Sequence, residues 1–415
     1  MLDIKLIREN SDSLAKSLAK RGVKINFDNI IKLDNERKEI ILKVEKFKEE
    51  RNKYSKTKPD TEIINKMKSV GASIKELDLQ LSKTKKLLKD EISSIPNIPA
   101  DDVVAGGKEN NKVLKTFGKA KDSVIAKDHV DIGVKLGIVD YKKSAQMSGN
   151  GFWTYVGDGA LLEWALLNYF IDFHRSHSEY KFMIPPYMLN ENSAFISGHL
   201  PKFKEDLFWV EKDKLCLNAT SEMMLGNYHA NEILNIKDLP LKYYAFSTCF
   251  RRESGAYRKE ERGMIRGHQF NKIEMFHFIK PEDSWTGFDE LLKYAEELVN
   301  GLDLAFQTVQ LAAGDCSAAM AKTVDIEVWI PSMKTYKEVS SVSNALDYQA
   351  RRGNIRYKDK EGKNQFIHTL NASGLATSRI FPAILEQNLQ KDGSVKIPKV
   401  LQKYMGGVIE IKPKK

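Results

Sequence analysis

Arg266, Phe270 and Glu274 follow one another at intervals of four in the run RGMIRGHQFNKIEM. The run partly alternates polar and apolar residues, and a β-strand sends every second side chain to the same face. All three therefore point one way, with Phe270 and Glu274 roughly 13 Å apart at about 3.3 Å per residue. Such a face offers a cation, then an aromatic plate, then a carboxylate. It can hold a phosphate, a stacked base and an ammonium group linked to them. The competing reading is a surface hairpin whose charges are simply solvated.

The elements that must position this face can be read around it. Upstream, YYAFSTCF leads into Arg251, and a charged, glycine-containing connection spans residues 253–263. Two strand-like runs flanking such a connection predict a long antiparallel hairpin. In LCLNATSEMML, Thr220 and Glu222 stand two apart, on one face of a segment expected to be extended. Farther on, residues 321–344 read as a strand, VDIEVWI, then a turn and a second strand. A small-residue turn, NASGLATS, leads into a helix that carries Arg379.

Arg251, Glu253, the long connection and RGMIRGHQFNKIEM together resemble motif 2 of class II aminoacyl-tRNA synthetases, in the form found in seryl-tRNA synthetases. The helix–strand–proline sequence of residues 157–189 resembles motif 1, and residues 368–390 resemble motif 3. Residues 127–140 and the closing VLQKYMGGVIEI also match that family, so the likeness covers nearly the whole chain. It implies an α+β fold: an antiparallel-sheet catalytic domain with an N-terminal antiparallel two-helix coiled-coil arm. It also implies a serine–tRNA ligase that uses L-serine, ATP and Mg2+ to acylate tRNA(Ser), with tRNA(Sec) left open as a further substrate. A homodimer in the cytoplasm is expected.

The resemblance also assigns the site. Catalytic roles fall to Arg251, Arg379 and Glu338. ATP is expected on Arg251, Arg252, Glu253, Arg266, Phe270, Glu338, Val339, Ser340, Ser341 and Arg379. Serine is expected on Thr220, Ser221, Glu222, Arg251, Glu274 and Ser373, and Mg2+ on Glu338 and Ser341 with the nucleotide. Which carboxylate takes the ammonium and which the hydroxyl stays open. An inactive tRNA-binding paralogue would have the same fold, but Arg251, Glu274, Glu338 and Arg379 are all present. Departures from the family pattern are Arg252, where many relatives have Ser, Ala372 and Ser378 where Gly is usual, and Pro382 near the start of the motif 3 helix.

Composition bounds these readings. A chain of 415 residues, 42% hydrophobic, can build two or three domains around a large core. Its formal net charge of +10 favours polyanionic partners. No run approaches the roughly 18 uninterrupted apolar residues of a membrane span, so no membrane partner is expected. The first ten residues lack a signal-peptide core, and three scattered cysteines do not form a disulfide framework.

Domain organisation follows from a change of pattern. Residues 1–98 read as a tRNA-binding domain, 99–126 as a linker and entry segment, and 127–415 as the catalytic domain. Within the first, Ile30, Leu33, Arg37, Ile40, Val44, Phe47, Arg51 and Tyr54 step alternately by three and four. Met67, Val70, Ile74, Leu77, Leu81, Thr84 and Leu88 do the same. This is a coiled-coil seam over about residues 28–93, broken at Pro59. Lys66, Lys68, Lys75, Lys83 and Lys86 on the second helix, with Lys56 and Lys58 at the tip, can follow a phosphate backbone.

Overall fold

The computed structural model describes residues 1–54, 60–123, 125, 127–177, 179–253 and 262–413. The arm-tip residues Lys56, Lys58 and Pro59, and residues 254–261 of the charged connection, lie outside the described residues. Two compact units make up the chain, Met1–Ile98 and Pro99–Lys415.

In the first unit, α1 (Ile4–Ala19) precedes two long helices, α2 (Asp28–Tyr54) and α3 (Thr61–Ser94). The two long helices are antiparallel. Asn29 donates to Glu91 at one end (3.0 Å), and Lys66 lies over the Tyr54 ring at the other (5.0 Å). A helix of 27 residues at about 1.5 Å each projects roughly 40 Å. The three-four stepping is realised in burial. Ile30, Val44, Val70, Ile74, Thr84 and Leu88 are buried, whereas Arg51 is exposed near the tip. The five lysines expected on α3 are all exposed. Asp60 caps α3 by accepting from the Ile63 amide at 2.8 Å, supplying one of the acceptors that first-turn N–H groups otherwise lack. Buried Asp34 is offset by three cations, Arg8, Arg37 and Lys38.

The second unit is built on an eight-stranded sheet. In chain order its strands are β1 (Lys112–Phe117), β2 (Tyr180–Met183), β3 (Leu241–Phe250), β4 (Gln269–Ile279), β5 (Phe306–Gln310), β6 (Lys322–Ile330), β7 (Thr335–Leu346) and β8 (His368–Ala376). Their spatial order is β1-β5-β6-β7-β8-β4-β3-β2. Every neighbouring pair is antiparallel except β2 with β3 at one edge. β1 falls in the segment expected to be linker, so residues 112–117 form the sheet's other edge.

Helices α4 (Asp158–Arg175), α5 (Ser284–Asn300) and α6 (Thr377–Gln387) supply much of the core over one face of this sheet. Alternation along β4 divides the work. Ile273, Met275 and Ile279 enter the core with Leu162, Leu166, Leu291 and Phe381. Phe270, Lys272 and Glu274 face the other way. The strand expected through residues 183–189 is interrupted. β2 stops at Met183, and pairing resumes only at Met188–Asn190 in a separate three-stranded sheet. Pro185 and Pro186 between them have no N–H to give a ladder. Around this break Leu161, Trp164, Phe182, Ile184 and Met188 are exposed, Ile184 by 71%. No helix among the described residues is long and apolar enough to cross a membrane.

Candidate active site

The uncovered face of the sheet floors a cavity of about 830 Å³. Among the elements that line it are the β3–β4 hairpin, the β6–β7 pair, the end of β8 leading into α6, and the short turn around Thr220. The hairpin is in continuous register, with Phe270 opposite Cys249 and Glu274 opposite Ala245. Arg266 precedes β4 in an extended conformation, and it reaches the same cavity as Glu274. A small adjoining pocket contains Arg251, Arg266, Phe270 and Arg379. The row read from spacing is therefore one continuous wall.

Cations concentrate at the Phe270 end. The Arg251 guanidinium lies 5.2 Å from the centre of the Phe270 ring, and its Nε donates to the Ala219 carbonyl at 3.2 Å. Arg266 donates to the Glu253 carboxylate at 2.9 Å. Glu253 adopts a left-handed backbone, φ 52°, which is uncommon for a residue with a Cβ. Arg379 donates to the carbonyls of Ile265 (3.1 Å) and Glu338 (2.6 Å), and pairs with the Glu338 carboxylate at 3.4 Å.

Glu338 and Ser341 are three residues apart on β7, a spacing that in a regular strand sends them to opposite faces. A β-bulge reverses this. Ile326 pairs with Ser340 and Glu327 with Glu338, leaving Val339 as the extra residue. Ser341 then stands opposite Asp325, Glu338 opposite Glu327, and all four line the cavity. Enclosure works against ionisation of Glu338, but Arg379 and Arg251 outweigh it and hold the carboxyl below its ordinary range. Asp325 goes the other way. Burial, and then the Glu338 charge, push it well above. Among the described residues its Oδ1 has no hydrogen-bond partner.

The opposite end holds carboxylates and hydroxyls. Glu274 is fully buried, accepts from Thr220 Oγ1 at 3.0 Å and from Asn371 Nδ2 at 3.3 Å, and forms an ion pair with Lys272. Glu222 accepts from Gln349 Nε2 at 2.6 Å, and burial together with the Glu274 charge pushes it up to about 7. Thr220 and Glu222 are not on an extended segment. Thr220 sits in a turn and Glu222 opens the helical turn Glu222–Leu225, so both reach the cavity because the chain bends there. Ser373 comes from β8, opposite Glu274 in the ladder.

Some expected site residues point elsewhere. Arg252 is exposed with its guanidinium over Phe208 at 5.6 Å, and it is absent from the wall of either pocket. Its amide, by contrast, is tied to the Asp206 carbonyl. The Ser221 hydroxyl is spent on Ser247 (2.6 Å) and that of Ser340 on the Ser373 carbonyl (2.6 Å). Val339 is buried beside the small pocket. Ala372 is ordinary strand, paired with Met275 and Val342; the left-handed residue of this segment is Leu375, φ 83°. Pro382 is at the sixth position of α6, past the first turn, where it removes the N–H that would bond the Ser378 carbonyl.

Four wall residues escaped sequence reasoning. Lys272 lies between Phe270 and Glu274, and the same two-residue period that selected those two marks it. Asp325 and Glu327 are acids two apart in an otherwise apolar strand, a signal of equal clarity. His199 carries none beyond its closeness in sequence to Thr220. Its ring Nδ1 bonds the Ser197 hydroxyl at 2.9 Å, and enclosure with Arg251, Lys272 and Arg352 nearby pushes its pKa down to about 3.

Two protein-family models match the chain. Residues 1–99 match the seryl-tRNA synthetase N-terminal domain, and residues 208–388 match the tRNA synthetase class II core domain (G, H, P, S and T). Serine–tRNA ligase 2 of Clostridium acetobutylicum is 48% identical over 98% of this chain and 99% of its own length. The chain belongs to the seryl-tRNA synthetase family. Among solved members, the seryl-tRNA synthetase from Pyrococcus horikoshii complexed with ATP superposes with a TM-score of 0.91 at 35% identity, covering 100% of both chains. The cytoplasmic serine–tRNA ligase from Naegleria fowleri in complex with AMP gives 0.88 at 31% identity, covering 100% of this chain and 99% of that one. The synthetase fold expected from sequence, a helical arm followed by a largely antiparallel catalytic sheet, is thus the fold found.

Proposed function

We propose that this protein is a serine–tRNA ligase, which joins L-serine to ATP as seryl-adenylate, releases pyrophosphate, and passes the seryl group to the terminal ribose of tRNA(Ser). The observation that carries this reading is the polarity of one cavity. Arginines and an aromatic ring stand at one end, and buried carboxylates with hydroxyls stand at the other. An amino acid and a nucleotide laid along it meet where Arg251 stands.

The serine carboxylate is the nucleophile. With a pKa of about 3.5 it is already ionised at neutral pH, so no general base is required. The residues' task is to hold the carboxylate in line with the α-phosphorus and to stabilise the charge that gathers on its oxygens. Arg251 does both, its planar fork bridging carboxylate and phosphate. Phe270 takes the adenine, Glu253 contacts the nucleotide, and Arg266 and Arg379 hold the outer phosphates. Glu222, Glu274, Thr220 and Ser373 surround the serine ammonium and hydroxyl. A site that bonds the substrate hydroxyl rejects alanine by about 10⁴ to 10⁵, whereas the added methyl of threonine is opposed by only about 1–3 kcal/mol.

Glu338 and Ser341 are the residues that would hold Mg2+. They are hard oxygen donors on one face, and the partnerless Asp325 Oδ1 behind them suits a cationic neighbour. When bound, the ion neutralises phosphate charge. The exposed lysines of α3 support a tRNA-facing role for the arm. The exposed apolar side chains of α4 and β2 support a homodimer, and three cysteines without disulfides suit the cytoplasm. The test is pyrophosphate exchange with each of the twenty amino acids, followed by charging of total tRNA. Exchange specific for serine and acylation of tRNA(Ser) are expected; exchange with another amino acid alone overturns the assignment.

A further inference from the structure

The Lys272 ammonium occupies a position that another ammonium should need. It donates to Thr220 Oγ1 at 2.8 Å, approaches Ser373 Oγ at 3.5 Å and pairs with Glu274. Those three residues are most of the seat proposed for serine. Lys272 is only 5% exposed and Glu274 not at all, and among the described residues Lys272 is the cation with which buried Glu274 forms an ion pair. Yet Lys272 also borders the small pocket that holds Arg251, Phe270 and Arg379, so its side chain stands at the junction of the two ends of the cavity. A lysine bears its charge on a flexible four-carbon stem and can serve either end without any movement of the backbone.

We propose that Lys272 is a stand-in for the substrate ammonium: it fills the seat while the site is empty and, when serine arrives, is displaced toward the reacting carboxylate and α-phosphate. The exchange keeps Glu274 paired throughout and delivers a positive charge to the place where negative charge will accumulate. It also couples the two ligands. A nucleotide that draws Lys272 away vacates the seat, so it raises the affinity for an ammonium, and by linkage the ammonium raises the affinity for the nucleotide by the same factor. This rests on the serine-ligase reading, since it assumes that the Glu274 end receives the amino acid.

The probe is serinol, which has serine's ammonium and hydroxyl but no carboxylate, titrated with and without the Mg2+ complex of an ATP analogue that carries a methylene bridge between the α- and β-phosphates. In the wild-type protein the nucleotide is expected to tighten serinol at least fivefold. In Lys272→Met, which keeps the length of the stem and removes the charge, serinol alone should bind about tenfold tighter than to wild type, and the nucleotide should change it less than twofold. Absence of coupling in the wild-type protein overturns the proposal, and that measurement needs no variant to fold. Weaker binding of serinol to a folded Lys272→Met protein overturns it equally, because it makes the lysine a support for the seat rather than its occupant. If the wild-type protein shows no serine-dependent pyrophosphate exchange, both this proposal and the ligase reading fall; lost coupling with exchange intact removes only this one.

Discussion

Glu222 makes serine recognition depend on pH in a way that can be worked out in advance. Burial and the neighbouring Glu274 charge push its carboxyl up to about 7. A cation entering between the two carboxylates binds well only when both are ionised. The apparent dissociation constant is then the limiting value multiplied by 1 + 10^(7 − pH). That factor is about 11 at pH 6 and about 1.1 at pH 8, so the affinity of the free enzyme for serine rises about tenfold, or about 1.4 kcal/mol. Serine's own carboxyl and ammonium do not titrate in this window, and His199, held down near 3, is neutral throughout it. Equilibrium binding of serine from pH 6 to 8 measures the slope directly. Glu222→Gln retains an amide oxygen and lacks the titration, so it should bind serine weakly and with a flat profile. A flat wild-type profile, or a variant that keeps the tenfold slope, refutes the reasoning.

Other expectations concern the two ends of the cavity, the core and the arm. Arg251→Ala should lower serine-dependent pyrophosphate exchange by at least about 10³, the scale of losing a transition-state donor, with an unchanged unfolding midpoint; near-normal exchange removes its assigned role. Phe270→Ala should raise the ATP requirement about tenfold while leaving that for serine alone, since stacking contributes roughly 1–3 kcal/mol; steady-state kinetics in both substrates decides this. Glu163, buried on α4, accepts from Asn271 and Thr377 and is pushed up to about 7 by burial. Its folded-state pKa exceeds the unfolded one, so its contribution is fully present below about pH 4.5 and is lost as pH rises through 7. Denaturant titration should find Glu163→Gln spared that loss of about 3 kcal/mol between pH 4.5 and 8; parallel pH dependences in the two proteins would contradict it. Replacing Lys66, Lys68, Lys75, Lys83 and Lys86 with Ala should weaken tRNA binding and lessen its salt dependence, by up to about one unit of slope for each phosphate left without its lysine, while pyrophosphate exchange stays the same; unchanged charging would remove the arm's role.

The amino-acid order made the hairpin and the arm legible because each repeats a period. Alternation by two along β4 placed Phe270 and Glu274 together, and stepping by three and four located the seam of α2 and α3. Where a site depends on a departure from period, the sequence was silent. Thr220 and Glu222 looked co-facial in an extended chain, yet they meet in the cavity because the backbone turns into a helix between them. Ser221 and Ser340 have plausible types at plausible positions, but their hydroxyls are consumed by Ser247 and by the Ser373 carbonyl. The left-handed backbone of this segment falls on Leu375 rather than on Ala372, where Gly is usual in the family, and no side-chain preference marks it. Lys272 was legible and overlooked, since the period that picked out its neighbours includes it.

The single unmatched residue at Val339 has a consequence for how this site tolerates change. The oxygens of Glu338 and Ser341 converge by arithmetic: an odd interval behaves as an even one because the opposing strand is one residue short. Substitutions leave that parity alone, whereas losing or gaining one residue between them swaps inside for outside. The convergence of these two oxygens is therefore more exposed to a shift in length than to a change in spelling.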